Sequence, residues 1–192
     1  MMYDLAIVGA GPAGLMAAKT AAGKGLTVVV IEKRKDISHV TRACCQQFIM
    51  DKNYSGESIQ VEQGKIIFPN NGFEIGYHGP TANITDKYYV SPKGHEIHFA
   101  YEDKRPVAVK FDKGHLLNGI RKECEGEGVL FMDRTIAYAA RENENGVTVS
   151  MSSRGKHSTI KAKKLIVADG ANSRVADSLG IHKERTLFTT YL

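Results

Sequence analysis

The segment Tyr3–Val8, followed directly by Gly9-Ala10-Gly11-Pro12-Ala13-Gly14, decides the fold of this chain. Tyr3–Val8 is a short apolar run typical of a buried strand. The stretch Ala13–Gly23 is rich in alanine, leucine, methionine and lysine, which predicts a helix. Leu26–Ile31 is a largely β-branched run, as expected for a parallel strand that is covered on both faces. Together these segments predict one β-α-β unit.

The glycines of this loop have the spacing of a dinucleotide-binding fingerprint. Gly9 permits the tight turn from strand to helix, Gly11 lets the backbone approach a pyrophosphate, and Gly14 lets helix and strand pack closely. The helix N-terminus offers free N–H groups to phosphates. Glu32 ends the second strand, where an acid accepts hydrogen bonds from ribose hydroxyls. The alternative is a glycine-rich turn without a ligand and a surface glutamate.

Composition excludes several other classes of protein. With 192 residues, 42% hydrophobic and 24% charged, the chain is long enough for a packed core without disulfides or a metal. The net charge of +5 suits an anionic ligand, but aromatic residues are not interleaved with the lysines as a nucleic-acid stacking platform requires. Apolar runs fall short of the roughly 20 residues that span a bilayer. Three cysteines, two of them adjacent, indicate a reducing cytoplasm rather than a disulfide framework.

A β-rich segment interrupts the β-α-β pattern. Residues 51–106 lack a strong helical period and contain short alternating runs, notably Tyr88–Val90 and His95–Tyr101. Ser91-Pro92-Lys93-Gly94 between these runs has the composition of a turn. We therefore predict that this segment is an insertion made of strands and irregular structure.

The remainder of the chain alternates again between helix and strand. Asp112–Cys124 predicts a helix whose apolar side carries Leu116, Leu117, Ile120 and Cys124. The later elements are a three-stranded meander, a buried strand that ends in Asp-Gly, a short helix and a final strand: Thr135–Arg141, Val147–Ser152, His157–Lys161, Lys164–Ala168, Ser173–Leu179 and Thr186–Leu192. The predicted fold class is α/β, a Rossmann-like fold with a parallel sheet, a three-stranded β-meander and a β-rich insertion.

Three separate motifs together resemble one flavoprotein superfamily. Gly9–Gly14, Glu32-Lys33-Arg34 and Ala168-Asp169-Gly170 followed by Ser173 are similar to motifs of the aromatic hydroxylases, flavin halogenases and geranylgeranyl reductases. The resemblance implies an FAD-binding fold and FAD as the cofactor. It also implies that Asp169 helps to hold the pyrophosphate, while a helix-terminal or turn aspartate is the structural alternative. The meander favours FAD as well, because a nicotinamide dehydrogenase domain would continue as β-α-β-α.

Within this superfamily the chain looks most like the geranylgeranyl reductase branch. Arg42 and Cys44-Cys45 follow the strand that ends in Glu32, where that branch has an arginine and a cysteine near the flavin. Arg42 would place a permanent charge on the phosphates or at the flavin edge. Cys44 and Cys45 are candidate catalytic residues, although small buried side chains are an equally good interpretation. Arg42-Ala43 also resembles the hydroxylases, while Ala176 replaces an arginine common in them.

The resemblance leads to one set of predicted cofactor-binding residues and no metal ligands. The predicted set is Gly9, Ala10, Gly11, Pro12, Ala13, Gly14, Glu32, Lys33, Arg42, Ile136, Asp169 and Gly170. The predicted reaction is hydride transfer from reduced flavin to an isoprenoid-type double bond. The alternatives are an NAD(P)H-dependent aromatic monooxygenase and a non-catalytic nucleotide-binding fragment.

The resemblance also implies an organisation and partners. We expect residues 1–192 to form an FAD-binding domain with its core at about 1–50 and 107–185 and an insertion at about 51–106. The substrate domain is expected to be absent or truncated, so we expect an FAD-dependent oxidoreductase of which this chain alone is incomplete and inactive. Expected partners are a small, isoprenoid or lipid substrate and an electron donor, either NAD(P)H or a ferredoxin-like protein. Peripheral membrane contact is compatible with such a substrate.

Overall fold

A computed structural model describes residues 2–40, 44–51, 53, 56–181, 184 and 186. The chain divides into two compact units, Met1–His39 with Ile120–Leu192, and Val40–Gly119. The second unit is larger than the insertion predicted from the sequence, which extends from about residue 51 to about residue 106. The predicted strand at residues 186–192 lies outside the described residues, apart from Thr186.

Fourteen strands and three helices are named here in chain order. They are β1 (Met2–Val8), α1 (Pro12–Ala22), β2 (Val28–Ile31), β3 (Gln47–Ile49), β4 (Gln60–Glu62), β5 (Lys65–Phe68), β6 (Phe73–Gly76), β7 (Thr81–Ile84), β8 (Asp86–Val90), β9 (Glu96–Ala100), β10 (Ala108–Phe111), α2 (Lys113–Gly126), β11 (Leu130–Met132), β12 (Thr135–Asn143), β13 (Gly146–Ser153), β14 (Lys156–Val167) and α3 (Arg174–Ser178). None of the helices in the described residues is long and apolar enough to cross a bilayer.

The first unit is built on a six-stranded sheet in the order β11-β2-β1-β14-β13-β12. The pairs β11–β2, β2–β1 and β1–β14 are parallel, while β14–β13 and β13–β12 are antiparallel. The predicted β-α-β unit and meander are thus confirmed as parts of one α/β sheet. The short parallel strand β11 was not predicted, because three residues are too few to show a period.

The prediction of two strands at His157–Lys161 and Lys164–Ala168 is wrong, because β14 runs through both. Its first half pairs with β13, and its second half pairs with β1, from Met2 opposite Lys161 to Val8 opposite Val167. The second half is also not fully buried, since Ile166 is 38% exposed. One long strand therefore joins the meander to the parallel sheet.

The core of the first unit lies on both faces of the parallel strands. All four residues of β2 are buried, as expected for a strand covered on both sides. On one face α1 contributes Leu15 and Ala18, which are fully buried. On the other face a single cluster joins the parallel strands to the meander and α3: Ala6, Val8, Val29, Ile31, Ala137, Val147, Val149, Met151, Ala162 and Val175. This packing holds the carboxyl ends of β1, β2 and β14 at one edge.

Asp4 ties together the opposite edge of this sheet and makes its stability depend on pH. Its Oδ2 accepts the N–H and the hydroxyl of Thr27 at 2.9 and 2.6 Å, and its Oδ1 lies 2.7 Å from Lys163 Nζ. The hydrogen bonds from Lys163 and Thr27 hold the pKa of Asp4 well below its usual range. A carboxyl with a lowered pKa in the folded state stabilises the fold above its ordinary pKa, and this contribution is lost as pH falls through the lowered value.

We expect Asp4→Asn to flatten the pH dependence of the melting temperature below about pH 4, the ordinary pKa of an aspartate. Melting curves at a series of pH values measure this, with the exposed Glu144→Gln as a matched control that keeps the wild-type profile. An Asp4→Asn profile as steep as that of the wild type would contradict the role of Asp4.

The second unit consists of three small sheets. Their strand orders are β3-β10-β7, β4-β5-β6 and β8-β9. The predicted turn between β8 and β9 is confirmed, since Gly94 donates to the carbonyl of Ser91 at 2.9 Å. The rings of Phe48 on β3 and Phe111 on β10 stack at 4.2 Å. Because β3 and β10 pair with each other and not with the six-stranded sheet, they belong to this unit.

The predicted helix after β10 is confirmed as α2. All four residues of its predicted apolar side are buried: Leu116, Leu117, Ile120 and Cys124. Asp112 precedes the helix and accepts the N–H of His115 at 2.7 Å, which satisfies one of the free N–H groups of its first turn.

Candidate functional site

Three parallel strands end together at the candidate site. The N–H of Gly9 donates to the carbonyl of Ile31 at 2.8 Å, and the N–H of Ala168 donates to the carbonyl of Val8 at 2.8 Å. Gly9 has a φ of +99°, and a Cβ on it would lie 2.8 Å from the Cα of Asp169. The glycine loop and the Asp-Gly turn, 160 positions apart in the chain (169 − 9), are therefore direct neighbours.

The glycine loop has both the close packing and the open space that its spacing predicts. A Cβ on Gly14 would collide with the carbonyl oxygen of Gly9, so α1 lies directly against the loop. A Cβ on Gly11, by contrast, would meet nothing within 4 Å. Gly11 is the N-cap of α1 without any side-chain cap, and Pro12 follows it. The first N–H groups of a helix have no acceptor within the helix, so this end is suited to an anion.

Glu32 lies at the end of β2 and is only 3% exposed. Its Oε2 accepts the N–H of Ala10 at 2.8 Å. Its Oε1 accepts both the N–H and the Nε of Arg34, at 2.8 and 2.9 Å. The backbone of Glu32 donates to Met132 on β11 and accepts from Thr135 on β12. The acid is therefore fixed by two neighbouring strands and is bonded to the glycine loop.

The charge of Glu32 is stabilised despite its burial. Burial by itself raises the pKa of a carboxyl, but the hydrogen bonds from the Arg34 side chain, from Ala10 and from the Arg34 N–H outweigh it and hold the pKa of Glu32 below its usual value. The carboxyl is thus ionised at neutral pH and acts as an acceptor. Arg34 was quoted in the sequence motif, but the predicted set contains its neighbour Lys33.

Asp169 presents a carboxylate oxygen that lacks a partner within the described protein. Its Oδ1 is buried without a hydrogen bond, next to the glycine loop. Gly170, with a φ of +90°, turns the chain away from β14, and Ser173 caps α3 by accepting the N–H of Ala176 at 2.9 Å. A buried oxygen of this kind requires an N–H or O–H donor. The open N-terminus of α1 and this unpaired oxygen together fit a ligand that combines phosphates with hydroxyl groups, as FAD does.

The other predicted residues differ in their placement. Ile136 is 45% exposed on β12. It follows Thr135, whose N–H donates to the backbone carbonyl of Glu32. Lys33 is exposed. Cys44 and Cys45 are exposed and belong to the second unit. Arg42 lies outside the described residues. The roles predicted for these residues remain predictions. Among the described residues, no group of three side chains could hold a metal ion.

Cys124 differs from the two adjacent cysteines in its chemistry. It is fully buried on α2, and its Sγ donates to the carbonyl of Leu15 at 3.6 Å. Burial, together with nearby Glu123, raises the pKa of the Cys124 thiol to about 11. The prediction that Cys124 belongs to the core is therefore confirmed.

We expect a thiol reagent to modify Cys44 and Cys45 rapidly in the native chain and to modify Cys124 only on unfolding, because the thiolate is the reactive form. Counting the thiols that the reagent modifies with and without denaturant tests this. Cys124→Ala should leave the rapid phase unchanged, and Cys44→Ser with Cys45→Ser should remove it. Rapid modification of three thiols in the native chain would contradict the packing of α2.

Comparisons with known proteins agree with this geometry. The model of the pyridine nucleotide-disulphide oxidoreductase family matches residues 3–191. A digeranylgeranylglycerophospholipid reductase of Methanococcoides burtonii is 32% identical over 182 residues, which are 93% of this chain and 40% of the relative. The chain therefore spans about 40% of the length of the curated relatives that it matches.

Solved structures share the fold. A geranylgeranyl bacteriochlorophyll reductase-like protein from Thermoplasma acidophilum superposes with a TM-score of 0.70 at 21% identity, over 93% of this chain and 42% of that one. A flavin-dependent monooxygenase solved in complex with FAD and substrate superposes with a TM-score of 0.65 at 18% identity, over 94% of this chain and 32% of that one.

The prediction of FAD as the cofactor agrees with the family match and with the open glycine loop, and one of the solved neighbours contains FAD. The resemblance to flavoproteins of the geranylgeranyl reductase type is likewise confirmed by the curated relatives. The chain belongs to the pyridine nucleotide-disulphide oxidoreductase family and, within it, is similar to the digeranylgeranylglycerophospholipid reductases.

Proposed function

We propose that this chain is the FAD-binding part of a flavin-dependent oxidoreductase that reduces isoprenoid-type double bonds in a lipid. The observation that carries the proposal is the meeting of the Gly9–Gly14 loop, Glu32 and Asp169 at one edge of the parallel sheet. Open α/β sheets bind their ligands at this carboxyl edge. The substrate class is suggested by the lipid named in the curated relatives.

Different residues of the chain would bind different parts of the cofactor. The N-terminus of α1 would hold the phosphates, since Gly11 leaves the approach open and the helix dipole favours negative charge. Glu32 would accept a ribose hydroxyl, and Asp169 would accept a hydroxyl or an ordered water through its unpaired Oδ1. FAD, when bound, supplies the hydride-transfer chemistry. The protein's share is to bind and orient the cofactor.

Ala176 supports a reductase over an aromatic hydroxylase. It is 1% exposed in α3, and its N–H is bonded to Ser173, so no charged side chain occupies the position at which the hydroxylases often carry an arginine. We further propose that the protein works in the cytoplasm and that its electron donor is NAD(P)H or a ferredoxin-like protein. Cys44 and Cys45 remain candidates for a role near the flavin.

Binding of FAD by the purified chain tests the first part of the proposal. The chain is titrated with FAD, the visible flavin spectrum is recorded, and ADP is added as a competitor for the adenosine half. We expect saturable binding that ADP reverses. A folded chain that takes up neither FAD nor ADP would overturn the proposed function and leave the glycine loop as a structural turn.

The substrate class is tested with the whole oxidoreductase of which this chain is proposed to be the FAD-binding part, with its flavin reduced. Dithionite serves as the electron donor, a geranylgeranyl-chain phospholipid is the substrate, and mass spectrometry measures the gain of two hydrogens for each double bond reduced. NAD(P)H and a reduced ferredoxin are then compared with dithionite. Hydroxylation of an aromatic substrate with NADPH and oxygen, without any change in the lipid, would favour the monooxygenase instead.

A further inference from the structure

Arg34 donates two hydrogen bonds to one of the two carboxylate oxygens of Glu32. A carboxylate oxygen accepts about two hydrogen bonds, and Oε1 of Glu32 already accepts two, from the N–H and the Nε of Arg34. Within the part of the chain that the structure describes, Oε2 accepts only the N–H of Ala10. The remaining acceptor position of this buried acid is therefore on Oε2, on the side of the glycine loop.

Arg34 is itself held in place from two directions. Its Nη1 donates to the carbonyl of Ile37 at 3.4 Å, and its own carbonyl accepts the N–H of Arg134 at 3.2 Å. Its side chain is 32% exposed, whereas that of Glu32 is 4% exposed. The arginine is thus the link between the turn after β2 and an acid that solvent scarcely reaches.

Arg34 is also the countercharge of Glu32. The other charged side chains around this edge are bound elsewhere or exposed. Lys19 on α1 pairs with Glu123, and Asp133 after β11 pairs with Arg121. Asp36 accepts from Ser38, whereas Lys33, Lys35 and Arg134 are exposed. The carboxyl of Asp169 lies across Gly9. A buried carboxylate without a countercharge takes up a proton more readily.

We propose that Arg34 is a positioning residue for cofactor recognition: it occupies Oε1 of Glu32 and so presents Oε2 to a ribose hydroxyl in the adenosine half of FAD. The inference rests on the proposed function and adds a residue to the same site. Arg34 acts through Glu32, and the effect is confined to the half of the cofactor that FAD shares with ADP.

The test compares FAD and ADP affinities of wild type, Arg34→Gln and Arg34→Lys between pH 5 and 8. In the wild type Glu32 is ionised throughout, so its contribution to affinity does not change with pH. Without Arg34 the pKa of Glu32 rises, and a protonated acid accepts poorly. Arg34→Gln should therefore bind both ligands at least about tenfold more weakly at pH 5 to 6 and recover as pH rises.

Arg34→Lys keeps the charge but lacks the Nε donor of the guanidinium. We expect the affinity of Arg34→Lys for FAD and ADP to depend on pH as that of the wild type does, but to be lower than the wild-type affinity at every pH. Lys35→Gln removes a neighbouring exposed positive charge and should bind as the wild type does. The double variant Glu32→Gln/Arg34→Gln should lose the pH dependence of Arg34→Gln, because the titrating group is gone.

The possible results distinguish a failure of the role proposed for Arg34 from a failure of the proposed function. Wild-type affinity at every pH in Arg34→Gln would overturn the role of Arg34 and leave FAD binding intact. A uniform loss of affinity with no pH dependence would also overturn it, because that is what a purely structural role produces. If Arg34→Gln does not fold, Arg34→Lys is used instead, and wild-type affinity for FAD and ADP at every pH in that variant would overturn the role of Arg34. A wild-type chain that binds neither FAD nor ADP overturns the proposed function, and this inference with it.

Discussion

Gly14→Ala is expected to destabilise the chain by about 3 kcal/mol or more, at the upper end of the usual cost of overpacking. The added Cβ would overlap the carbonyl oxygen of Gly9 and lie 3.4 Å from Ile7 Cγ2. A backbone oxygen cannot turn aside as a side chain does. Relief therefore requires α1 to move away from β1, which opens the packing of Leu15 and Ala18. FAD binding should be lost as well, because the loop moves with the helix.

Denaturant unfolding followed by circular dichroism measures this effect. Gly126→Ala is the matched control: it adds the same methyl group at the last residue of α2, where a Cβ would meet nothing within 4 Å. Alanine is the better helix former, so Gly126→Ala should be as stable as the wild type or slightly more so. A Gly14→Ala chain with wild-type stability would mean that α1 and the loop are not in the close contact described here.

Gly11→Ala, unlike Gly14→Ala, is expected to keep the stability of the wild type and to lose affinity for FAD. Its Cβ would meet no protein atom within 4 Å, and Gly11 has a φ of −76°, which alanine adopts without strain. The methyl group would instead occupy the approach to the N-terminus of α1, where a pyrophosphate must come close to the backbone. We expect affinity for FAD to fall on the order of a hundredfold, equivalent to about 2.8 kcal/mol.

Titration with FAD and with ADP measures the loss, and a melting curve shows that the fold is intact. Affinity for both ligands should fall together, because both carry the diphosphate. Gly126→Ala again serves as the control and should bind both ligands normally. If Gly11→Ala bound FAD as tightly as the wild type, the phosphates would have to approach the sheet somewhere other than the loop.

The sequence predicted the β-α-β unit because its signals are local. The run Tyr3–Val8, the glycine spacing and the run Leu26–Ile31 each reflect the backbone needs of one turn, one helix or one strand. Glu32 and the meander were found for the same reason. The proximity of Asp169 to the glycine loop was inferred only through the resemblance to a family, since no local rule connects residues so far apart in the chain.

Three features of the fold could not be predicted from the sequence because they depend on which strands pair with each other. His157–Lys161 and Lys164–Ala168 were interpreted as two strands, yet Lys156–Val167 forms one strand with a different partner on each half. Strand β11 was missed because it is short and owes its place to pairing with β2. The boundary of the second unit lies outside the predicted insertion because β3 pairs with β10.

The sequence by itself determined that the chain folds around a parallel sheet with a glycine loop and an acid at its carboxyl edge, because spacing and apolar pattern act over a few residues. Only the tertiary structure decided that Arg34 rather than Lys33 bonds to Glu32, that Glu32 holds Ala10, and that Asp169 keeps an unpaired oxygen beside Gly9. These facts depend on side-chain direction and on contacts between distant segments, which are settled only when the strands pack together.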